Sequence, residues 1–174
     1  MSINNKLIQF GIGGMILFFI SYALLGGFSS IHVEKEKAEP FYIKGKHYHG
    51  QTNKREFQEL VYSMMELKKN GELAGEFTIC YWGDPDSDDS LKVMVGVASP
   101  TLPEVTDSLV TEKIVLENVL VGSFETHFLG APSPSRVNDK IKETVAEMGI
   151  KTEKLYIERY LKGNNIITLV PITQ

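Results

Sequence analysis

A single cysteine, Cys80, in 174 residues leaves no partner for an intrachain disulfide, which fits a reducing compartment. No block of one charge sign stands out either: 18 lysines and arginines face 22 acidic residues, for a formal net charge of -4. A sequence-independent grip on nucleic acid needs clustered basic side chains to replace phosphate counterions, so no nucleic-acid partner is expected. Metal ligands are sparse. His47 and His49 share a strand face and His127 could approach them, but no Cys or Glu completes a set, and the histidines read as strand ends that hold turns. The acidic run Gly83 to Ser90 lacks the glycine and the closing glutamate of a calcium loop and reads as a solvated hairpin turn. Cys80 lies in an apolar stretch with no basic neighbour, as an inert thiol does. Neither a cofactor nor a metal is expected.

One long uncharged run is present. Leu7 to Phe28 spans 22 residues, and as a helix it would cover the roughly 30 Å hydrocarbon core of a bilayer. No convincing small-x-small cleavage site follows, so the run reads as an uncleaved anchor, with a cleaved signal as the alternative. Residues 1–6 are then a tail, 7–28 the transmembrane anchor, 29–39 a charged linker and 40–174 a folded domain. The lysines after the span outnumber Lys6 before it, which by a basic-residue count puts the domain in the cytoplasm.

The domain shows one order of elements twice. Phe41 to His49 reads as a strand, and a helix follows from about Asn53, with Glu56 completing a capping box and Phe57, Leu60, Val61, Met64 and Leu67 at helical spacing. Gly71 stops it, and Glu76 to Trp82 and Leu91 to Ala98 are two strands about the acidic turn. After an irregular stretch through Pro100, Pro103 and Asp107, Val119 to Phe128 is again a strand. Ser133-Pro134 opens a helix with Val137, Ile141, Val145 and Met148 as its buried stripe and Gly149 as its stop. Lys154 to Leu161 and Ile166 to Pro171 are two strands joined by Gly163-Asn164-Asn165. The expected fold is α+β: duplicated β-α-β-β units forming a curved antiparallel sheet with both helices on one face.

The strand Lys154 to Leu161 carries the chemistry. Alternation sends Tyr156, Glu158 and Tyr160 to one face and Leu155, Ile157 and Leu161 to the other. Two rings beside one acid suit a site for an apolar, cationic ligand, while the plain alternative is the wet side of an antiparallel strand. Superposing the two halves sets Cys80 opposite Glu158 and Trp82 opposite Tyr160, so a single carboxylate enters the cleft. That favours binding over paired acid and base catalysis.

The duplicated plan, the Tyr81-Trp82-Gly83-Asp84-Pro85-Asp86 turn and the Glu158-Arg159-Tyr160 strand followed by Leu169-Val170-Pro171-Ile172 resemble the GyrI-like small-molecule-binding domain. This is also the effector-binding domain of AraC-type and MerR-type multidrug-responsive regulators. The resemblance covers about Pro40 to Ile172. It implies a pocket for lipophilic, often cationic compounds with Glu158 at its base, Tyr160 beside it, and Trp82 and Tyr156 as aromatic walls. No helix-turn-helix precedes the domain, which departs from the regulators. Some GyrI-like domains hydrolyse reactive xenobiotics with an aromatic and a glutamate in the same pocket, so the resemblance also allows a hydrolase with Glu158 as general base. The haem-binding SOUL-type proteins share the architecture.

Overall fold

A computed structural model describes Met15 and residues 31–86, 89–104, 108–124, 134–161 and 165–173. The elements are β1 (His32–Lys37), β2 (Phe41–Gly50), α1 (Arg55–Lys69), β3 (Glu76–Trp82), β4 (Leu91–Ser99), β5 (Val110–Ile114), β6 (Asn118–Phe124), α2 (Pro134–Met148), β7 (Lys151–Thr152), β8 (Leu155–Tyr160) and β9 (Ile166–Thr173). The expected α+β class holds. An antiparallel sheet runs in the order β1-β6-β9-β8-β3-β4-β2-β5, with β7 added against β9. Phe57 and Met64 of α1 and Val137 and Ile141 of α2 share one apolar cluster with the same sheet face, so both helices lie on that face.

The order is symmetric about the β3–β8 pair. Outward on one side come β4 and β2, and outward on the other β9 and β6, which are the strands of the two expected repeats. Three strands were not expected: the two-residue β7 and the longer β1 and β5. β1 falls in the segment read as a linker and β5 in the irregular connection. Each leads its own repeat but pairs with the other: β1 with β6, and β5 with β2. Their links run side by side, where the Ala38 amide donates to the Glu117 carbonyl at 3.1 Å. The sheet thereby curls, and its second face closes over Phe41, Ile43, Ile114, Leu116, Val119 and Ile157.

β1 was hidden by its charges. His32-Val33-Glu34-Lys35-Glu36-Lys37 sends one apolar residue, Val33, onto the helix-side core and leaves the rest wet. Charged side chains on an edge strand block edge-to-edge association, so polarity here marks an edge rather than a tether.

The helices differ from expectation at their ends. α1 starts at Arg55 with Lys54 at the cap position and no side-chain cap, so the Asn53/Glu56 capping box does not form. Gly71 and Gly149 do stop the helices at positive φ, 80° and 63°. Met148, expected in the buried stripe of α2, is exposed, whereas Val137 and Ile141 are fully buried. Gly122 admits α2 to the sheet: a Cβ there would stand 2.8 Å from Val137 Cγ1 and 2.9 Å from Ile141 Cδ1.

Among the described residues no helix is long and apolar enough to cross a membrane. The run Leu7 to Phe28, Met15 apart, lies outside the described residues, as do His127, Gly130, Ser133, Gly163 and Asn164.

Candidate functional site

Strand alternation turns Phe77, Ile79 and Tyr81 of β3 toward the helices, and the β3–β8 register sets them across from Tyr160, Glu158 and Tyr156. A cleft of about 610 Å³ opens above this floor. Ile79, Tyr81, Glu158 and Tyr160 form its base, and Phe57, Gln58, Val61, Tyr62 and Met65 of α1 form one wall. Asn138 of α2 and Pro85 and Asp86 of the β3–β4 turn form the other. Tyr62 and Met65, exposed at helical spacing, are the rim.

Glu158 is 5 % exposed at the bottom. The Tyr81 and Tyr160 hydroxyls both donate to its Oε2, each at 3.2 Å. Burial is the largest influence and pushes the carboxyl above its ordinary range; the two hydroxyls pull it back, and the Asp86 charge adds to the rise. Both tyrosines are raised too, first by burial and then by the neighbouring Glu158 charge. The result is one carboxylate whose charge is poorly solvated but held in place by two donors.

The acidic turn is docked rather than merely solvated, contrary to expectation. Asp84 Oδ1 accepts from the Asp86 amide at 3.0 Å. Lys142 of α2 lies 2.8 Å from Asp84 and 3.9 Å from Asp86, and Asn138 Nδ2 donates to Asp86 Oδ2 at 2.9 Å. α2 thus holds the turn over the cleft.

Two of the four expected site residues line this cleft, and two do not. Glu158 and Tyr160 are in it. Tyr156 shares their face but is packed into the core beside Tyr81, its cross-strand partner. Trp82 is on the other face. It pairs with Leu155, packs with the second cluster, and has Lys92 Nζ 4.6 Å above its ring. The superposition of Cys80 on Glu158 joins residues of opposite faces: Glu158 lines the helix-side cleft with Ile79 across from it, whereas Cys80 packs in the cluster on the other face. A one-residue slip reverses every side chain on a strand. The corrected aromatic partner is Tyr81, whose place beside Glu158 follows from alternation once the register is right. Asp86 and Asn138 were also missed, and no local signal marks them, because tertiary docking of α2 brings them there.

The remaining candidates have other surroundings. Burial pushes the Cys80 thiol up to about 12, which keeps it protonated and inert at neutral pH. His47 Nε2 lies 2.9 Å from Glu112 Oε1, a contact across β2 and β5. A second cleft, of about 570 Å³, opens on the opposite face, where Arg159 pairs with Glu76 and lies 5.3 Å from the Phe41 ring centre.

No family profile and no curated protein matches the sequence. Solved structures do match in fold. The C-terminal domain of EcmrR aligns with a TM-score of 0.56 at 8 % identity over 84 % of this chain and 98 % of that one. SAV2435 bound to tetraphenylphosphonium aligns at 0.51 and 13 % identity over 82 % and 94 %. A hydrolase from Listeria innocua aligns at 0.52 and 12 % identity over 81 % and 91 %. The chain therefore shares its fold with these three proteins.

Proposed function

We propose that the chain is a membrane-tethered small-molecule-binding protein whose cleft takes lipophilic cations, with Glu158 as the countercharge. The observation that carries this reading is the buried, poorly solvated carboxylate at the base of an apolar and aromatic cleft. A cation resting on Glu158 replaces the solvation the carboxylate lost, while Phe57, Val61 and the tyrosine rings cover its apolar body. SAV2435, of the same fold, holds tetraphenylphosphonium, which supports this ligand class. Leu7 to Phe28 would keep the cleft at a membrane, where lipophilic compounds concentrate, and no nucleic-acid partner is required.

Calorimetric titration with tetraphenylphosphonium and with neutral triphenylphosphine oxide tests the reading. Glu158→Gln keeps the shape and removes the charge, so cation binding is expected to weaken by on the order of 2–5 kcal/mol, as when one member of a buried charge pair is truncated. Binding of the neutral compound is expected to change far less. Cation affinity indifferent to the substitution would overturn the proposal.

The hydrolase of the same fold supports a second reading, in which Glu158 is a general base for water attacking an electrophilic compound. There the same substitution abolishes turnover and leaves binding nearly intact. Binding is preferred, because Asp86, a second carboxylate in the cleft where the sequence led to the expectation of one, is engaged by Asn138 and Lys142 rather than paired with Glu158 as acid and base.

A further inference from the structure

Two carboxylates and no basic side chain line the cleft. Glu158, 5 % exposed at its base, receives both tyrosine hydroxyls on Oε2, which leaves Oε1 without a hydrogen bond among the described residues. That oxygen is not one of the sealed side-chain atoms, so it is open to a ligand. Asp86 on the wall is likewise used on one side only: Asn138 Nδ2 donates to its Oδ2 at 2.9 Å, Lys142 lies 3.9 Å from the same oxygen, and Oδ1 has no partner among the described residues. Lys142 stands nearer to Asp84, at 2.8 Å. One ammonium therefore answers two carboxylates of the turn, and Glu158 pairs with no cation among the described residues. Docking the turn does not need the Asp86 charge, because an asparagine there would accept from Asn138 through its amide oxygen. The charge has a cost instead: it repels the buried Glu158 and adds to the rise of its pKa.

Resting on the cation-binding reading above, we propose that the cleft takes ligands with two positive groups: a lipophilic cation that pairs with Glu158 and carries, across its apolar body, a protonated amine that reaches Asp86. A single cation relieves one carboxylate and leaves the other. A dication answers both, and its second charge also lifts the repulsion between them. The Asp86 side chain is 30 % exposed, so its share of the affinity is the smaller one and the more sensitive to salt.

The test uses the full-length protein in a non-ionic detergent, with detergent-only blanks, and pairs of triphenylphosphonium probes whose propyl, pentyl or heptyl chain ends in a primary amine or in a hydroxyl. The members of a pair match in size, and only the amine carries a second positive charge at neutral pH. At low salt and the best chain length the wild type is expected to bind the amine at least about tenfold more tightly, the scale of one hydrogen bond to a charged group. Added salt should shrink the ratio. Asp86→Asn keeps the acceptor for Asn138 and removes the charge, so it should bring the ratio near one, chiefly by weakening the amine. Lys142→Gln removes the competing ammonium and should raise the ratio, which keeps the test decisive if the Asp86 variant does not fold. Glu158→Gln should weaken both probes by a similar factor and leave the ratio intact. A wild type with no preference at any chain length, a preference that survives Asp86→Asn, or one that Lys142→Gln leaves unchanged or lowers overturns the inference. If Glu158→Gln changes neither probe, the cation-binding reading itself has failed.

Discussion

Burial of Glu158 costs the folded chain stability wherever the carboxyl is charged. Burial holds its pKa above the unfolded-state value, so the folded chain keeps the proton longer than the unfolded one. Below the ordinary carboxyl value, near pH 4, both states are protonated and the side chain carries no charge penalty. As pH rises through the raised folded value the penalty of the buried charge grows, then levels off. Glu158→Gln is therefore expected to raise the melting temperature of the ligand-free protein at neutral pH, with the gain fading toward about pH 4. Thermal melts across that range check this, and a gain that does not vary with pH would refute it. The two aromatic neighbours in sequence, Tyr81 and Trp82, separate cleanly by face. Tyr81→Phe removes a hydroxyl from Glu158 Oε2 and should shift tetraphenylphosphonium affinity by about 0.5–1.5 kcal/mol. Trp82→Ala should leave that affinity within about twofold, as expected for an independent site, while lowering fold stability by about 0.5–3 kcal/mol. A larger binding loss at Trp82 than at Tyr81 would restore the face assignment that the register overturns. Glu158 and Tyr160 were legible because alternation on one strand places them together, whereas Tyr81 required the register between two strands. Asp86 and Asn138 required the docking of a turn on a helix, which no local pattern encodes.

The elements follow from local pattern wherever a core face is long. β3 was read from Glu76 to Trp82 and forms over those residues, and both helices run to the glycines that were read as stops. Pattern failed where the chain lies at an edge. β1 and β5 are short and largely polar, and they gain their structure from pairing with the other repeat rather than from burial of their own. Curvature, too, comes from pairs. Gly45 and Gly96 face each other across β2 and β4, and a Cβ at either would meet backbone, 2.0 Å from the Val95 carbonyl oxygen or 2.1 Å from that of Lys44. Side chains can repack around an added methyl, but two hydrogen-bonded strands must separate. Gly96→Ala is accordingly expected to destabilise the domain by about 1–3 kcal/mol or more, in the range of overpacked cores. Denaturant unfolding measures it, and a neutral result would mean that the curl does not depend on this close approach.

At the scale of the whole chain, the exchange of β1 and β5 makes the two repeats one body. Each repeat lends its leading strand to the other, so neither has a complete sheet of its own. The segment after the proposed anchor therefore holds more than a connection: Ile31 packs on the helix-side core, and His32–Lys37 covers the β6 edge and sets Val33 on the same core. Two truncations test this. The full-length chain is expected to stay with membranes through a carbonate wash, and removing residues 1–30 should release a soluble domain that melts at the same temperature as its parent in detergent. Removing residues 1–39 instead strips β1, leaving the β6 hydrogen-bonding edge bare beside Val119 and Val121. An uncovered edge strand is a template for association, so this shorter domain should melt lower and aggregate, although every expected repeat element is still present. If both truncations behave alike and remain monomeric, 29–39 is a tether after all and β1 contributes nothing to the fold. Recovery of the untruncated chain in the soluble fraction would remove the anchor.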